Sequence, residues 1–525
     1  MPKVLISDKL SPAAVDIFKT RNVDVDVKTG LEKAELIEII GRYDGLAVRS
    51  ATKVTADVLE AAGNLKVIGR AGIGVDNIDV PAATAKGVVV MNTPFGNSIT
   101  TAEHAIAMMM ALARQIPAAN ESTQAGKWEK SRFMGIEVTS KTLGIIGCGN
   151  IGSNVAARAK GLHMKVVAFD PYLSTERAAE LGVEKVDLDT LLARADFISL
   201  HTPLTDETRN VLSADALNKT KKGVRIVNCA RGGLIDEAAL KAALDSGHVA
   251  GAALDVFEEE PAKANVLFGT ENFIATPHLG AATTEAQENV ALQVAEQMAD
   301  FLLTGAVANA INMPSITADE AAQMRPFIKL AEQLGMFAGQ LTETAVTGVE
   351  IEYEGEVADM QTRALTAAAV DGMLRSIVSE VNMVNAPVMA KERGIRVSET
   401  TRAAEGVFES YMRLTVTTER QRRSVAGTVF SDGSPRIIQV KGIDMEAWVT
   451  PHMLYVNNDD KPGFIGRLGT ALGEANVNIA TFNLGRSGPG EEAIALVALD
   501  QPVDAPTLAK VLDLPGVKQA KALSF

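Results

Sequence analysis

Cysteine is almost missing. Two residues in 525, Cys148 and Cys229, stand far apart in apolar, glycine-rich surroundings. That excludes a disulfide framework, offers no zinc-type spacing and suits a reducing, cytosolic compartment, so no metal site is expected. Aromatics are scarce at 4%, while Gly, Ala and Val abound. Small and β-branched residues suit α/β layers, where helices lie close on a parallel sheet. Basic residues are outnumbered, 51 against 65 acidic, for a net charge of −14. A nucleic-acid partner is therefore disfavoured, and an anionic substrate must be met by a local cluster of Arg or Lys. No run of about 18 apolar residues occurs, so no membrane span is expected. The start, Met1-Pro2-Lys3-Val4-Leu5-Ile6, runs straight into a strand pattern without the flanks of a signal peptide.

What is present is length and periodicity. A core stops growing at roughly 250–300 residues, so 525 residues imply three or four domains. The first hundred residues alternate short strands (Lys3–Ser7, Gly45–Val48, Leu65–Ile68, Val88–Met91) with amphipathic stretches at Ser11–Thr20 and Ala34–Ile40. Ser11-Pro12 has the form of an N-cap followed by Pro at the first helical position. Ile99–Ala119 predicts one long, fully buried Ala/Met helix at a domain or subunit junction, with Met108, Met109 and Met110 as core filler. A second strand–helix series follows, with strands at Thr142–Ile146, Val166–Phe169, Phe197–Leu200, Arg225–Asn228, Gly251–Leu254 and Phe273–Ala275. The helix near Thr283–Leu303 is expected to cross back to the first domain, making a hinge crevice.

The fold class expected is α/β. It has two Rossmann-like, doubly wound parallel-sheet domains, a substrate-binding unit (1–98 with 283–312) and a dinucleotide-binding unit (99–282). An α+β domain over 315–450 follows, with helices at Glu320–Thr342 and Ala358–Arg375 and strands at Val346–Tyr353 and Ile437–Val440. Residues 452–525 read strand–helix–strand–strand–helix–strand, a ferredoxin-like βαββαβ unit, with a strand at Met453–Val456, a helix at Phe464–Ala475 and a strand at Ala493–Leu499.

Leu143 to Gly152 feeds a strand into a G-x-G-x-x-G turn. Gly147 permits the tight turn, Gly149 admits a pyrophosphate to the backbone, and Gly152 lets the helix pack on the strand. The helix N-terminus offers free N–H groups to phosphate. Asp170, at the end of the next strand, suits ribose hydroxyls and repels a 2′-phosphate, so NAD is expected rather than NADP.

Three further strand ends carry an Arg (Arg231), an acid (Glu260) and a His (His278). Open α/β sheets place their sites there. Oxidising a 2-hydroxy acid needs a guanidinium for the carboxylate, an imidazole to take the hydroxyl proton and a carboxylate behind the imidazole. Arg231, His278 and Glu260 match these needs in turn. Singly each has a duller reading, a structural His or a solvated acidic run; the combination is what points to redox chemistry. Asp255 is expected either to hydrogen-bond the nicotinamide side or to support the site.

These residues resemble the D-isomer-specific 2-hydroxyacid dehydrogenase family. The stretches that carry the resemblance are GRAGIGVDNID (69–79), the glycine turn, HTPLTDET (201–208), NCARGGLIDE (228–237), ALDVFEEEP (253–261) and TPHLGAAT (276–283). It covers about residues 1–312 and implies cofactor contacts at Ile73, Asn150, Ile151, Asp170, Thr202, Cys229, Ala230, Arg231, Asp255, His278, Leu279, Gly280 and Ala281. Within the family the chain resembles the long members that oxidise 3-phosphoglycerate on the way to L-serine. Arg49, Ser50 and Arg70, with Asn97, would then bind a phosphate, and Arg132 would join them from a neighbouring subunit. The last 70 residues resemble an ACT domain. That implies an L-serine effector site between paired domains, at Asp460 and Gly463 with Asn478 or Asn483. Residues 315–450 show no tight basic cluster at which to place an anion effector. A homotetramer is expected, with one interface at the long helix and another at the ACT unit. The alternatives are a glyoxylate or hydroxypyruvate reductase, and a non-catalytic NAD-sensing regulatory protein.

Overall fold

Short apolar strands bounded by polar turns form the first sheet. The computed structural model describes residues 1–378, 381–404, 408 and 410–525, leaving aside the side chains of 318 and 319. Among these residues, five parallel strands line up in the order Asp24–Val27, Lys3–Ile6, Gly45–Val48, Val67–Arg70, Val89–Met91. Asp24–Val27 was not expected. It is an edge strand that alternates Asp with Val and is only partly covered, so it lacks the apolar run of its neighbours. The helix Pro12–Thr20 starts where Ser11 accepts from the Ala13 N–H, with Pro at its first position.

The chain does return to this domain. Helix Thr284–Thr304 lays Val290, Val294 and Met298 into a core shared with Val4, Ile6, Phe18 and Val67. A Cβ at Gly69 would overlap the Met298 side chain, so glycine there lets helix and sheet approach.

The second domain is a seven-stranded parallel sheet. Its order is Phe273–Ala275, Val249–Leu254, Val224–Asn228, Phe197–Leu200, Thr142–Ile146, Lys165–Phe169, Glu184–Lys185. The winding reverses between Thr142–Ile146 and Phe197–Leu200, the switch point where such sheets open a ligand crevice.

The long helix expected over Ile99–Ala119 is two helices, Ser98–Arg114 and Ile116–Gln124. Gln115 between them is left-handed at φ 53°. Pro117, in the first turn of the second helix, cannot continue the hydrogen-bond ladder of the first. Nor is the pair buried all round. Thr101, Ala105, Met108, Met109 and Leu112 face the core, whereas Ile99 and Ile116 are exposed.

The third sheet has six strands, ordered Arg396–Arg402, Val346–Gly355, Ser410–Thr418, Arg422–Val429, Pro435–Val440, Ile443–Trp448. Helices Ala318–Gln340 and Thr362–Arg375 cross it with glycine at their contact. A Cβ at Gly335, Gly339 or Gly372 would overlap the backbone of the opposing helix. The last unit has the order Ile479–Arg486, Glu492–Leu499, His452–Asp459, Val517–Ser524, with helices Phe464–Glu474 and Ala505–Leu512 on one face. Its other face is not free. Met453, Tyr455, Ile494, Leu496 and Leu523 belong to the core of the third domain, where Tyr455 meets Phe337 edge to face at 6.1 Å. The third domain in turn docks on the first. Val384 enters the first domain's core and Asn382 Nδ2 donates to the Gly87 carbonyl at 3.0 Å.

Candidate active site

The glycine turn has the shape its sequence requires. Gly147 is at φ +89°, and a Cβ there would press on the backbone of His201 and Thr202. A Cβ at Gly152 would overlap the Gly147 carbonyl, so the helix Asn150–Gly161 sits directly on the turn. Gly149 is different: a Cβ there meets nothing within 4 Å. Its bareness clears open space at the helix N-terminus, which is the room a pyrophosphate takes. Asp170 is fixed beside it, Oδ2 accepting from the Cys148 N–H and Oδ1 from the Tyr172 N–H, both at 2.8 Å. Burial pushes the His201 imidazole down to about 3, so the wall under the turn is neutral. These residues fit NAD.

At the other strand ends, His278 Nδ1 lies 2.7 Å from Glu260 Oε2, and Glu260 Oε1 accepts from the Phe257 N–H at 3.1 Å. Burial alone would raise Glu260. The hydrogen bonds from His278 and Phe257 outweigh it and hold the carboxyl below its ordinary range. The Arg231 loop joins the same cluster, because a Cβ on Gly232 would overlap the Phe257 carbonyl. The Arg231 guanidinium crosses the crevice, with Nε donating to Asp76 of the first domain at 3.0 Å.

Opposite stands a second cation. Arg70 is pushed down to about 10, first by burial and then by the neighbouring Arg231 and Arg49. Its Nε has no hydrogen-bond partner among the described residues. Two glycines of the GRAGIG loop make room for these groups: a Cβ at Gly72 would overlap the Arg70 guanidinium, and one at Gly74 that of Arg231. Arg49 follows the adjacent strand, its N–H donating to Asp8 at 2.6 Å, with exposed Ser50 next to it. Ile73 lies in the same loop, its carbonyl accepting from Asn92 Nδ2 at 2.6 Å. Asn97 stands at the N-cap position of the junction helix without a side-chain cap bond, its buried Oδ1 having no partner among the described residues.

Asp255 is fully buried and occupied. Oδ1 accepts from Thr276 Oγ1 at 2.5 Å and the Leu279 N–H at 2.7 Å, and Oδ2 from the Gly280 N–H at 2.8 Å. Both carboxylate oxygens therefore brace the His278 loop from within. Cys229 and His104 approach the same carboxylate, the three donor atoms lying within 4.8 Å of one another. Burial raises the Cys229 thiol well above its usual value and keeps it protonated. His104 went unnoticed in the sequence; its one signal was a lone imidazole in an Ala/Met helix.

Other expected residues are not gathered within one chain. Arg132 is exposed, paired with Glu129 at 3.1 Å and set over the Phe133 ring. In the last domain, Asp460 accepts from Arg486 Nη1 at 3.0 Å and from the Gly490 N–H at 3.1 Å, near Gly463. Asn478 lies at the opposite end of that sheet, bonded to Asp500 at 2.6 Å, and Asn483 pairs mid-strand with Leu496.

The family model for the NAD-binding domain of D-isomer specific 2-hydroxyacid dehydrogenases matches residues 106–280. That for the D-3-phosphoglycerate dehydrogenase intervening domain matches 323–441, and that for the ACT domain 452–516. D-3-phosphoglycerate dehydrogenase of Synechocystis sp. is 46% identical over 522 residues, covering 99% of this chain and 94% of its own. The Bacillus subtilis protein of the same name is 43% identical over 526 residues, 100% of both chains. Among solved structures, NAD+-bound 3-phosphoglycerate dehydrogenase from Entamoeba histolytica is 31% identical with a TM-score of 0.51, covering 59% of this chain and 98% of that one. Fold and site together define an NAD-dependent dehydrogenase of the D-isomer-specific 2-hydroxyacid class. More narrowly, the chain belongs to the D-3-phosphoglycerate dehydrogenase family, in a long form with an intervening domain and a terminal ACT domain.

Proposed function

We propose that this chain oxidises the C2 hydroxyl of 3-phosphoglycerate to 3-phosphohydroxypyruvate, the step that opens L-serine synthesis. The observation that carries this reading is that Arg70 has Arg49 and Arg231 as neighbouring cations while the Arg231 loop packs on the segment held by the Glu260–His278 pair, in a chain of net charge −14. Three clustered guanidiniums answer a doubly charged anion. Arg231 takes the substrate carboxylate, which replaces the exposed Asp76. Arg49, Ser50 and Arg70, with Asn97, take the phosphate, and Arg132 reaches it from a neighbouring subunit. The glycine turn and Asp170 would hold NAD, which would supply the hydride acceptor for C2. His278 donates through Nδ1 to ionised Glu260, which leaves Nε2 to receive the hydroxyl proton. Glu260 then stabilises the imidazolium.

The assembly in this reading is a homotetramer in a reducing cytoplasm. Trp128 and Met134, 84% and 75% exposed, supply the apolar surface for one interface. L-Serine binds between paired ACT domains, where Asp460 and Gly463 of one chain meet Asn478 of the other. Asn483 lines the strand between them.

The test is a substrate panel with NAD. 3-Phosphoglycerate is expected to drive NADH formation with kcat/KM about 100-fold or more above that of unphosphorylated D-glycerate, since a site built for a charged group rejects the analogue lacking it. Equal turnover of both would overturn the phosphate assignment.

A further inference from the structure

The helix that begins at the domain junction, Ser98–Arg114, sends one imidazole under the active-site loop. His104 is mostly buried, its side chain 20% exposed, and Nε2 lies 3.2 Å from Thr276 Oγ1 and 3.3 Å from Asp255 Oδ1. Thr276 Oγ1 donates to the same carboxylate oxygen, so its lone pairs are left to accept. The His104 Nε2–H thus donates to the Thr276 oxygen and lies 3.3 Å from Asp255 Oδ1, close enough to stabilise that carboxylate. Burial alone would raise Asp255, but hydrogen bonds from His104, Thr276 and the Leu279 N–H keep it below the ordinary carboxylate range. It stays an anion inside the protein, and an anion there must have its donors.

Asp255 holds the base in place. Its carbonyl accepts the His278 N–H at 2.9 Å, and its carboxylate takes the next two N–H groups, of Leu279 and Gly280. His278 itself sits at φ +56°, a left-handed backbone that a non-glycine residue keeps only where its surroundings impose it. The imposing surroundings are Asp255 and whatever fixes Asp255. Thr276 belongs to the same strand-end segment and moves with it. His104 comes from a different element, the helix packed across the strand ends.

We infer that His104 is a positioning residue for the dehydrogenase reaction: it ties Asp255, and through it the left-handed His278, to the junction helix. The inference rests on His278 being the acid/base. In this account His104 touches neither substrate nor NAD. Its loss leaves both bound and slows the proton transfer they undergo.

The experiment uses the full chain and two substitutions. His104→Leu removes the N–H but fills the space; His104→Gln keeps an amide N–H near the position of Nε2. Misplacing a reacting group by about 1 Å can cost on the order of 100-fold. His104→Leu is therefore expected to lower kcat by about 10-fold or more, with KM for 3-phosphoglycerate and calorimetric NAD affinity within about twofold of wild type. His104→Gln is expected to recover to within about threefold. If His104→Leu does not fold, His104→Asn, whose amide is too short to reach Asp255, takes its place. Unchanged kcat in the donor-less variant overturns the inference, as does equal loss in it and in His104→Gln. A His278→Ala control separates the two readings: if it is inactive while His104→Leu is normal, only the positioning role fails; if it is active, the acid/base assignment itself fails.

Discussion

Arg70 shows how much a single residue can report. An arginine buried beside two others, with Nε unpartnered among the described residues, is a costly arrangement for a resting protein. An anion bound there, as proposed, would offset that cost. Replacing it by Met removes a charge-assisted contact of about 1.5–3 kcal/mol, so KM for 3-phosphoglycerate is expected to rise about 10- to 100-fold with little change in Tm. Steady-state kinetics and thermal unfolding check both halves. Glu260 gives a pH prediction. Its folded value is depressed, so the stability it contributes is complete above its ordinary value of 4.5 and is lost as pH falls through the folded value. A Tm difference between wild type and Glu260→Gln is therefore expected at neutral pH and should vanish in acid; a gap that widens on acidification contradicts the pairing. The positions of Arg231, Glu260 and His278 were legible because each closes a strand motif. A supporting role for Asp255 was among the expectations, but its tie to His104 was not. His104 and Asp255 lie far apart in sequence and meet only through packing of a helix on strand ends, which no local pattern records.

At the scale of elements, glycine decides how closely backbones approach. A methyl at Gly152 would overlap the Gly147 carbonyl and lift the helix N-terminus off the turn. Gly152→Ala is expected to cost about 1–3 kcal/mol of stability and to weaken NAD binding, measured by thermal unfolding and calorimetry. Unchanged affinity would mean that the turn tolerates the shift. Strands of the two parallel sheets were legible to within a few residues, since buried parallel strands read as continuous apolar runs. Asp24–Val27, Glu184–Lys185, Arg396–Arg402 and Ile443–Trp448 were missed for the converse reason, being edge strands with interspersed charges; the interior strands Ser410–Thr418 and Arg422–Val429 were missed too, their apolar residues interrupted by Arg, Ser and Thr. The break at Gln115 had a signal in Pro117, masked by apolar residues on both sides.

Across the whole molecule, the ACT unit is joined to the rest by more than a linker. Tyr455 and Leu496 lie in the third domain's core, and Val384 of that domain lies in the first domain's core. The ACT unit is thus in packed contact, domain by domain, with the sheet that carries Arg49 and Arg70. This continuity was illegible, because strand alternation shows that a face is apolar but not what covers it. Cutting the ACT unit away would bare that face, so a point change is the cleaner probe. Asp460→Ala is expected to abolish inhibition by L-serine while kcat stays within about twofold; full inhibition in the variant, or none in wild type, contradicts the effector site. Proton transfer to His278 beside bound NAD is the central step of the proposed reaction. Its most direct test is NADH formation by wild type and His278→Ala at saturating NAD and 3-phosphoglycerate, with NAD affinity measured on the same samples. The expected result is a loss of about 10²- to 10⁴-fold in turnover with NAD affinity unchanged; wild-type turnover in His278→Ala would contradict it.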